Sequence, residues 1–389
     1  MAEKWVLAAA IEEDEGRIET LNQRGNRLYP HLDVRISDKY LSDARPLLLY
    51  MQRTLAKRLQ DDGDALVIDY VFGRRDPQAG QPTLADSLRD YIYRDPRFTK
   101  DRRLPDVIVP IASAPTRAAR EVVRSMSPHG WPLRVPIVFT VVSDPEHEPQ
   151  NDPLVDPGTH RGDGITGVSR KLIQTAREAL ERFRLLLGDK GEIHWFYKAD
   201  LHQANAAHNF LIGFSPSPGS GPPPPPADTK PHEFRGRIGK HEILLNIRDR
   251  EVLPPNDPQG RTRTGLLLIP DELMVSIASD VIKAAYEKKV PTFVQQLEWV
   301  CPGEWNPEGP YALAGYGVSP EWIGRKAGER VYEVLRDKRK ASELPVLSPE
   351  NDPSALEFWI NEDVANDLAI PIPDDARRKA KLCRRRASA

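Results

Sequence analysis

The chain has 389 residues, with 55 Lys and Arg against 57 Asp and Glu, 39% hydrophobic residues and two cysteines. This length exceeds one ordinary hydrophobic core, so two domains are expected. The nearly cancelling charge argues against nucleic acid or an anionic membrane as the main partner. Cys301 and Cys383 form neither a CxxC metal pair nor a disulfide framework, and free thiols are expected of them.

The chain begins with an apolar run, Trp5 to Ile11, that acids follow at once. It is too short for a membrane span and lacks a basic lead-in, so it reads as a first strand and not as a signal peptide. As the sequence stands, a cytoplasmic location is expected, or a periplasmic one if the true N-terminus lies upstream. No other segment is expected to cross a bilayer.

Residues 41–60 read as a helix, with Leu48, Met51, Leu55 and Leu59 at helical spacing. Strand 65–72, a turn at Arg75-Asp76-Pro77 and a helix near 83–94 follow. Strand 106–112 then leads through Ser113-Ala114-Pro115-Thr116 into a helix carrying Ala118, Ala119, Val122, Val123 and Met126. Strand 136–142 ends at Ser143-Asp144-Pro145. This alternation of strand and helix predicts parallel sheets with helices on both faces.

A polar segment at 144–163 is the expected crossing into a second domain. There, helix 171–188 has a stripe of Ile173, Ala176, Leu180, Phe183 and Leu187. Strands are expected at 192–200, 241–249, 264–271 and 291–296, with a helix at 271–289 carrying Met274, Ile277, Val281 and Ala285. The polyproline stretch 215–231 reads as a stiff surface excursion. A helix from Ser319 has Ile323, Ala327, Val331 and Leu335 in register, and the basic tail 377–389 is expected to be disordered.

The chain lacks GxGxxG after a strand, GxxxxGK[ST] and GxSxG. His202 and His208 do not share a helix face. His147, among Asp144, Glu146 and Glu148, reads as a solvated turn because Pro145 and Pro149 break ligand spacing. No cofactor or metal is expected. Ser113, Thr116, Ser143, Asp144, Thr166 and Asp271 remain as residues at strand ends. Hydroxyls and helix N-terminal amides there suit a carboxylate, and an aspartate suits an ammonium, so an amino-acid-like zwitterion is expected. Taken singly, each of these residues reads equally well as a helix cap.

Several motifs carry a resemblance by their order: DVIVPIASAPTRAA (106–119), PIVFTVVSDP (136–145), GDGITGVS (162–169), LLLIPDELM (266–274), GYGVSPEWIGRKAGERVYEVL (315–335) and SALEFWINEDVANDLAIPIP (354–373). From about residue 64 to 380 the chain resembles the ABC transporter substrate-binding proteins of the tryptophan/tyrosine-binding type. The resemblance implies the type I periplasmic-binding fold, two Rossmann-like α/β lobes with parallel sheets that close on a ligand in the cleft. The lobes would be 1–145 with about 310–345, and 165–305 with about 346–375. It carries ligand contacts onto Ser113, Ala114, Thr116, Ser143, Asp144, Asp271 and Tyr316, which with Thr166 complete the candidate set.

An amino-acid-like ligand and an ABC permease are the implied partners, and no catalysis is implied. The chain departs from the family in its N-terminus, in its polyproline excursion and in the EHEPQNDPLVDPGTHR run after the Ser-Asp turn. Two alternatives stand beside this reading. One is a cytoplasmic sensor on the same fold, and the other is an enzyme using Asp144 and His147.

Overall fold

The computed structural model describes residues 3–11, 45–73, 83–94, 103–125, 134–142, 145, 153–156, 159, 161–170, 172–188, 191–198, 229–234, 240–256, 263–269, 277–301, 309 and 311–384. The chain divides into two compact units, Met1–Arg170 with Pro320–Asn351, and Lys171–Ser319 with Asp352–Ala389. It therefore passes between them three times.

The first unit holds a five-stranded parallel sheet in the order β2-β1-β3-β4-β5, with β1 Glu3–Ile11, β2 Ala65–Gly73, β3 Val107–Pro110, β4 Ile137–Val142 and β5 Ile165–Ser169. Trp5 to Ala9 are all buried, as a central strand covered on both faces requires. On one face Leu7, Ala9, Ile108, Phe139 and Ile165 pack against Leu84, Leu88 and Ile92 of α2 (Leu84–Arg94) and against Ala119 and Val122 of α3 (Ser113–Arg124). The alternate residues Val6, Ala8, Val107, Val109 and Val138 belong to the other face.

Helix α2 starts where the sequence places a reciprocal cap. Thr83 Oγ1 accepts from the Asp86 amide at 3.1 Å, and Asp86 Oδ2 accepts from the Thr83 amide at 3.0 Å. The Thr83 hydroxyl and amide hold the Asp86 carboxyl below its ordinary range. Helix α1 (Arg45–Asp61) packs on α7 (Pro320–Leu335), which returns from the far end of the chain to complete this unit. The approach is close, since a Cβ at Gly328 would meet the Met51 carbonyl at 3.0 Å. Met51, Leu55 and Leu59 on α1, and Ile323, Ala327 and Val331 on α7, are buried at the expected spacing.

The second unit holds a seven-stranded sheet ordered β12-β11-β10-β9-β8-β6-β7. Its strands are β6 Gly191–Lys198, β7 Thr229–Phe234, β8 Arg263–Leu268, β9 Thr292–Val294, β10 Ala314–Val318, β11 Leu356–Asn361 and β12 Lys381–Cys383. All neighbours are parallel except β10 and β11. One face buries Trp195, Leu267, Phe293 and Phe358 against Ala176, Leu180, Phe183 and Leu187 of α4 (Leu172–Leu187). The same layer takes in Val364 of α8 (Glu362–Asp367) and Ala376 of α9 (Asp374–Lys379). The other face buries Phe196, Leu266, Leu268 and Val294 against Ile243 and Ile247 of α5 (Lys240–Arg248) and Val281 and Ala285 of α6 (Ala278–Glu287).

The structure corrects several expectations. Residues 165–169 were expected to open the second domain, but as β5 they pair with β4 in the first sheet, from Ile137↔Ile165 to Val142↔Ser169. The expected strand 241–249 is helix α5. Its short apolar run fits either period, and the four-residue spacing of buried Ile243 and Ile247 decides for helix, leaving Leu245 52% exposed. Thr229 to Pro231 leave the proline excursion and join β7 at the sheet's edge, the place where a sheet tolerates proline. Residues 215–228, the turn at 75–77, His147, His202, His208, Met126 and Met274 lie outside the described residues.

The cysteines and the tail are corrected together. Cys301 and Cys383 are joined in a disulfide, with Cα atoms 5.6 Å apart. The tail is ordered as α9 and β12 through Arg384, because β11 offers a pairing edge and buried Glu362 accepts from Arg377 Nη1 at 2.7 Å and from Arg384 Nε. Both contacts, the one to Arg384 first, hold the Glu362 carboxyl below its ordinary range.

Candidate functional site

In an open parallel sheet, ligands bind outside the carboxyl ends of the strands. In the first unit that edge is shaped by an unusual backbone. Ala112, which precedes α3, has φ 76°, and Val141 near the end of β4 has φ 64°. Positive φ is costly for a β-branched residue, and it accompanies a break in the β4–β5 register between Thr140 and Val142. The Ala112 amide donates to the Thr140 carbonyl at 2.9 Å, which ties the start of α3 to the end of β4. Among the described residues, no side chain caps α3.

The predicted residues fare differently. Ser113 and Ala114 are half-buried in the first turn of α3, at the carboxyl edge as expected. Thr116 is there too, but it is fully buried and its hydroxyl donates to the Ala112 carbonyl at 2.7 Å, so it braces the helix start. Ser143 and Asp144, which follow β4 directly, lie outside the described residues, as does Asp271. Thr166 is not at the carboxyl edge. It is the second residue of β5, level with Val138, buried, with its hydroxyl 3.4 Å from the Pro345 carbonyl. The strand begins at Ile165, so Thr166 stands near its start and not at its end.

Tyr316 stands in the middle of β10, 4% exposed. Its hydroxyl donates to Glu178 Oε2 on α4, and Arg182 lies 4.3 Å over its ring. Burial first, then the Glu178 carboxylate, pushes its phenol up to about 12. Its polar atom is therefore engaged within its own unit.

Two buried polar side chains absent from the expected set stand near the carboxyl ends. Thr140 on β4 is 2% exposed, with a hydroxyl that has no hydrogen-bond partner among the described residues. Gln295, immediately after β9, is 3% exposed, with an amide oxygen that has none among the same residues. The signal for Gln295 was present in the sequence. PTFVQQ is an apolar run ending in a polar pair, like the run ending at Ser143, but it was read as continuous strand through residue 296.

Among the described residues, no group of three or more His, Cys, Asp and Glu is arranged to hold a metal ion. Among the same residues, no helix is long and apolar enough to cross a membrane.

No protein-family model matches the chain. By sequence it is 23% identical over 328 residues, 83% of this chain and 77% of the relative, to the tyrosine-binding protein of Clostridioides difficile (strain R20291). Among solved structures, it matches a conserved domain protein from Vibrio cholerae with a TM-score of 0.61 and 18% identity, covering 98% of this chain and 99% of that one. It matches an ABC domain in complex with L-Trp from Streptococcus pneumoniae with a TM-score of 0.59 and 16% identity, at the same coverage. A ligand-free, open substrate-binding protein with adhesive properties from Clostridium difficile matches with a TM-score of 0.53 and 18% identity, covering 98% of this chain and 99% of that one. The two parallel-dominated sheets, each flanked by helices, and the full-length match together give this chain the two-unit α/β fold of the periplasmic-binding type, shared with these solved structures.

Proposed function

We propose that this chain is a small-molecule-binding protein of the ABC transporter substrate-binding type, and that its ligand is amino-acid-like. What carries the reading is the likeness to a tyrosine-binding protein over 83% of the chain and to a structure holding L-Trp over 98% of it. Ser113 and Ala114 at the uncapped start of α3 support it, because first-turn amides suit a carboxylate. Ser143 and Asp144, which follow β4 in the sequence, and Asp271, which follows β8 in the sequence, stay within the proposal. An ABC permease is the partner this reading implies. No covalent step is assigned to any residue.

The disulfide favours this reading over a cytoplasmic sensor. Such bonds form and persist in oxidising compartments, so Cys301–Cys383 supports a site of action outside the reducing cytoplasm. Isothermal titration of the full chain with L-tyrosine, L-tryptophan and the remaining common amino acids tests the ligand class, with micromolar or tighter binding of at least one expected. Silence across the whole panel would sink the amino-acid reading.

A further inference from the structure

Gln295 follows β9, whose residues Thr292, Phe293 and Val294 are buried between β8 and β10. Those neighbours are parallel to it, so Gln295 stands at the carboxyl edge of the second sheet. Its backbone is held tightly, since a Cβ at Gly317 on β10 would fall 2.1 Å from the Gln295 carbonyl oxygen. Only glycine permits that approach.

The side chain is fixed as well. Nε2 donates to Thr175 Oγ1 on α4 at 3.1 Å. Oε1 is buried and has no hydrogen-bond partner among the described residues. Turning the amide over would move the deficit to nitrogen without removing it. Buried amides are normally satisfied at both ends, because an unpaired end loses its water and gains nothing in return. An amide tethered at one end and unsatisfied at the other, placed where this class of sheet binds ligands, is a polar contact awaiting its partner.

We infer that Gln295 Oε1 accepts a hydrogen bond from the ligand, and that the donor is the ammonium group of an amino-acid-like molecule. The inference rests on the ligand-binding reading above and narrows it. The Thr175 tether presents oxygen, an acceptor, and an ammonium is the donor that distinguishes an amino acid from the corresponding plain carboxylic acid. Gln295 would then contribute to selection for amino acids over acids of the same side chain.

Titration of the full chain tests this with four probes: L-tyrosine, L-tryptophan and their counterparts lacking the amino group, 3-(4-hydroxyphenyl)propanoate and indole-3-propanoate. Gln295→Leu should weaken the better amino acid by roughly tenfold or more, the worth of one hydrogen bond to a charged group. It should leave the weaker binding of the matching acid unchanged. Gln295→Glu, which still offers an acceptor and adds attraction for a cation, should keep or improve amino-acid affinity.

Equal loss in Q295L and Q295E would overturn the inference, because it would mean that the residue packs or donates. So would wild-type affinity in Q295L. Should Q295L fail to fold, as judged by its thermal unfolding, Q295E and the wild-type preference for amino acid over acid still decide. A wild-type chain that binds none of these probes or the other amino acids overturns the ligand reading itself and takes this inference with it. A wild-type chain that binds while Q295L matches it overturns the inference alone.

Discussion

The two edges of the seven-stranded sheet are closed in opposite ways. At one edge, β12 has only three residues, and it is held by a disulfide, by the Glu362 contacts to Arg377 and Arg384, and by Lys381, whose ammonium lies 4.3 Å over the Trp359 ring. At the other, β7 has six residues and no covalent tie among the described residues. It is held by its ladder to β6, by His194 Nδ1 and His232 Nε2 at 2.9 Å, by Lys230 to Glu192 at 2.8 Å, and by the stacking of Phe196 on Phe234 with centroids 5.6 Å apart. A short strand buries too little to hold itself and needs a staple, whereas a longer one holds by packing and polar pairs. One edge should thus answer chiefly to reductant and the other chiefly to acid.

The largest expected effect comes from removing the staple. The disulfide closes a loop across 82 residues, for which the chain-entropy model gives about 4.5 kcal/mol. Cys301→Ser with Cys383→Ser, or reduction of the native chain, should lower the second unit's melting temperature by many degrees and leave the first unit's transition in place. Calorimetry with and without reductant checks this. Melting curves that superimpose would mean that packing alone holds β12.

Acid should act on β7. Burial first, and then the neighbouring His232, lowers His194 from 6.5 to about 4. His232 is lowered by burial and then by Lys230. The charged groups bearing on the pair are Lys230, which disfavours its protonation, and Glu192, which favours it. An unfolded chain takes up these protons near 6.5 and the folded chain only lower down. The contribution is therefore complete above pH 6.5 and is lost as pH falls toward 4, by roughly 3 kcal/mol for His194. Hydrogen exchange of β7 amides between pH 7 and 4.5 should show the edge opening first, and His194→Phe should flatten the response in that window. Exchange at β7 that keeps pace with β6 and β8 would break the contrast between the edges.

Glu362 offers a third, smaller test, again by acid but in a separate window. Its carboxyl is held below 4.5, chiefly by Arg384, so its contribution is present above pH 4.5 and fades as pH drops below that. Both arginines are largely exposed and can resolvate, so Glu362→Gln should cost only about 1 kcal/mol. That loss should be absent below the folded-state titration, where the wild-type carboxyl is already neutral. Denaturant melts of both proteins in a pH series from 7 downward check this, the difference between them closing as the carboxyl is protonated.

These edges also mark where sequence reading worked and where it did not. The central strands were legible because burial on both faces leaves an uninterrupted apolar run, as at Trp5 to Ala9 and Leu266 to Leu268. The helices α4 and α7 were legible from stripes such as Ala176, Leu180, Phe183 and Leu187. Edge strands lack that signal. TKPHEF carries Lys, Pro, His and Glu because one side of β7 meets water, and KLC is a strand only because β11 and Cys301 hold it. AGYGV was hidden as β10 because Gly317 answers to a neighbouring backbone and not to a periodic pattern. At the candidate site, the start of α3 was legible from an apolar strand stopped by small hydroxyl residues. Thr166 was misplaced because register is a tertiary property. Gln295 was passed over because its significance lies in the partner its amide oxygen lacks.

The smallest expected effect isolates what charge alone adds at β12. Lys381 is exposed, and its ammonium rests on the Trp359 ring. An exposed cation–π contact contributes about 0.5 kcal/mol, while the aliphatic stem contributes packing that charge does not control. Lys381→Leu keeps most of the stem and removes the charge, and Lys381→Ala removes both. If β12 is held mainly by its covalent staple, both variants should melt within a degree or two of wild type while the disulfide is intact. Under reductant the strand depends on its weaker contacts, so Lys381→Ala should then fall further than Lys381→Leu. Equal, larger losses in both variants under oxidising conditions would mean that the staple positions β12 but does not secure it, and the two edges would then differ in degree and not in kind.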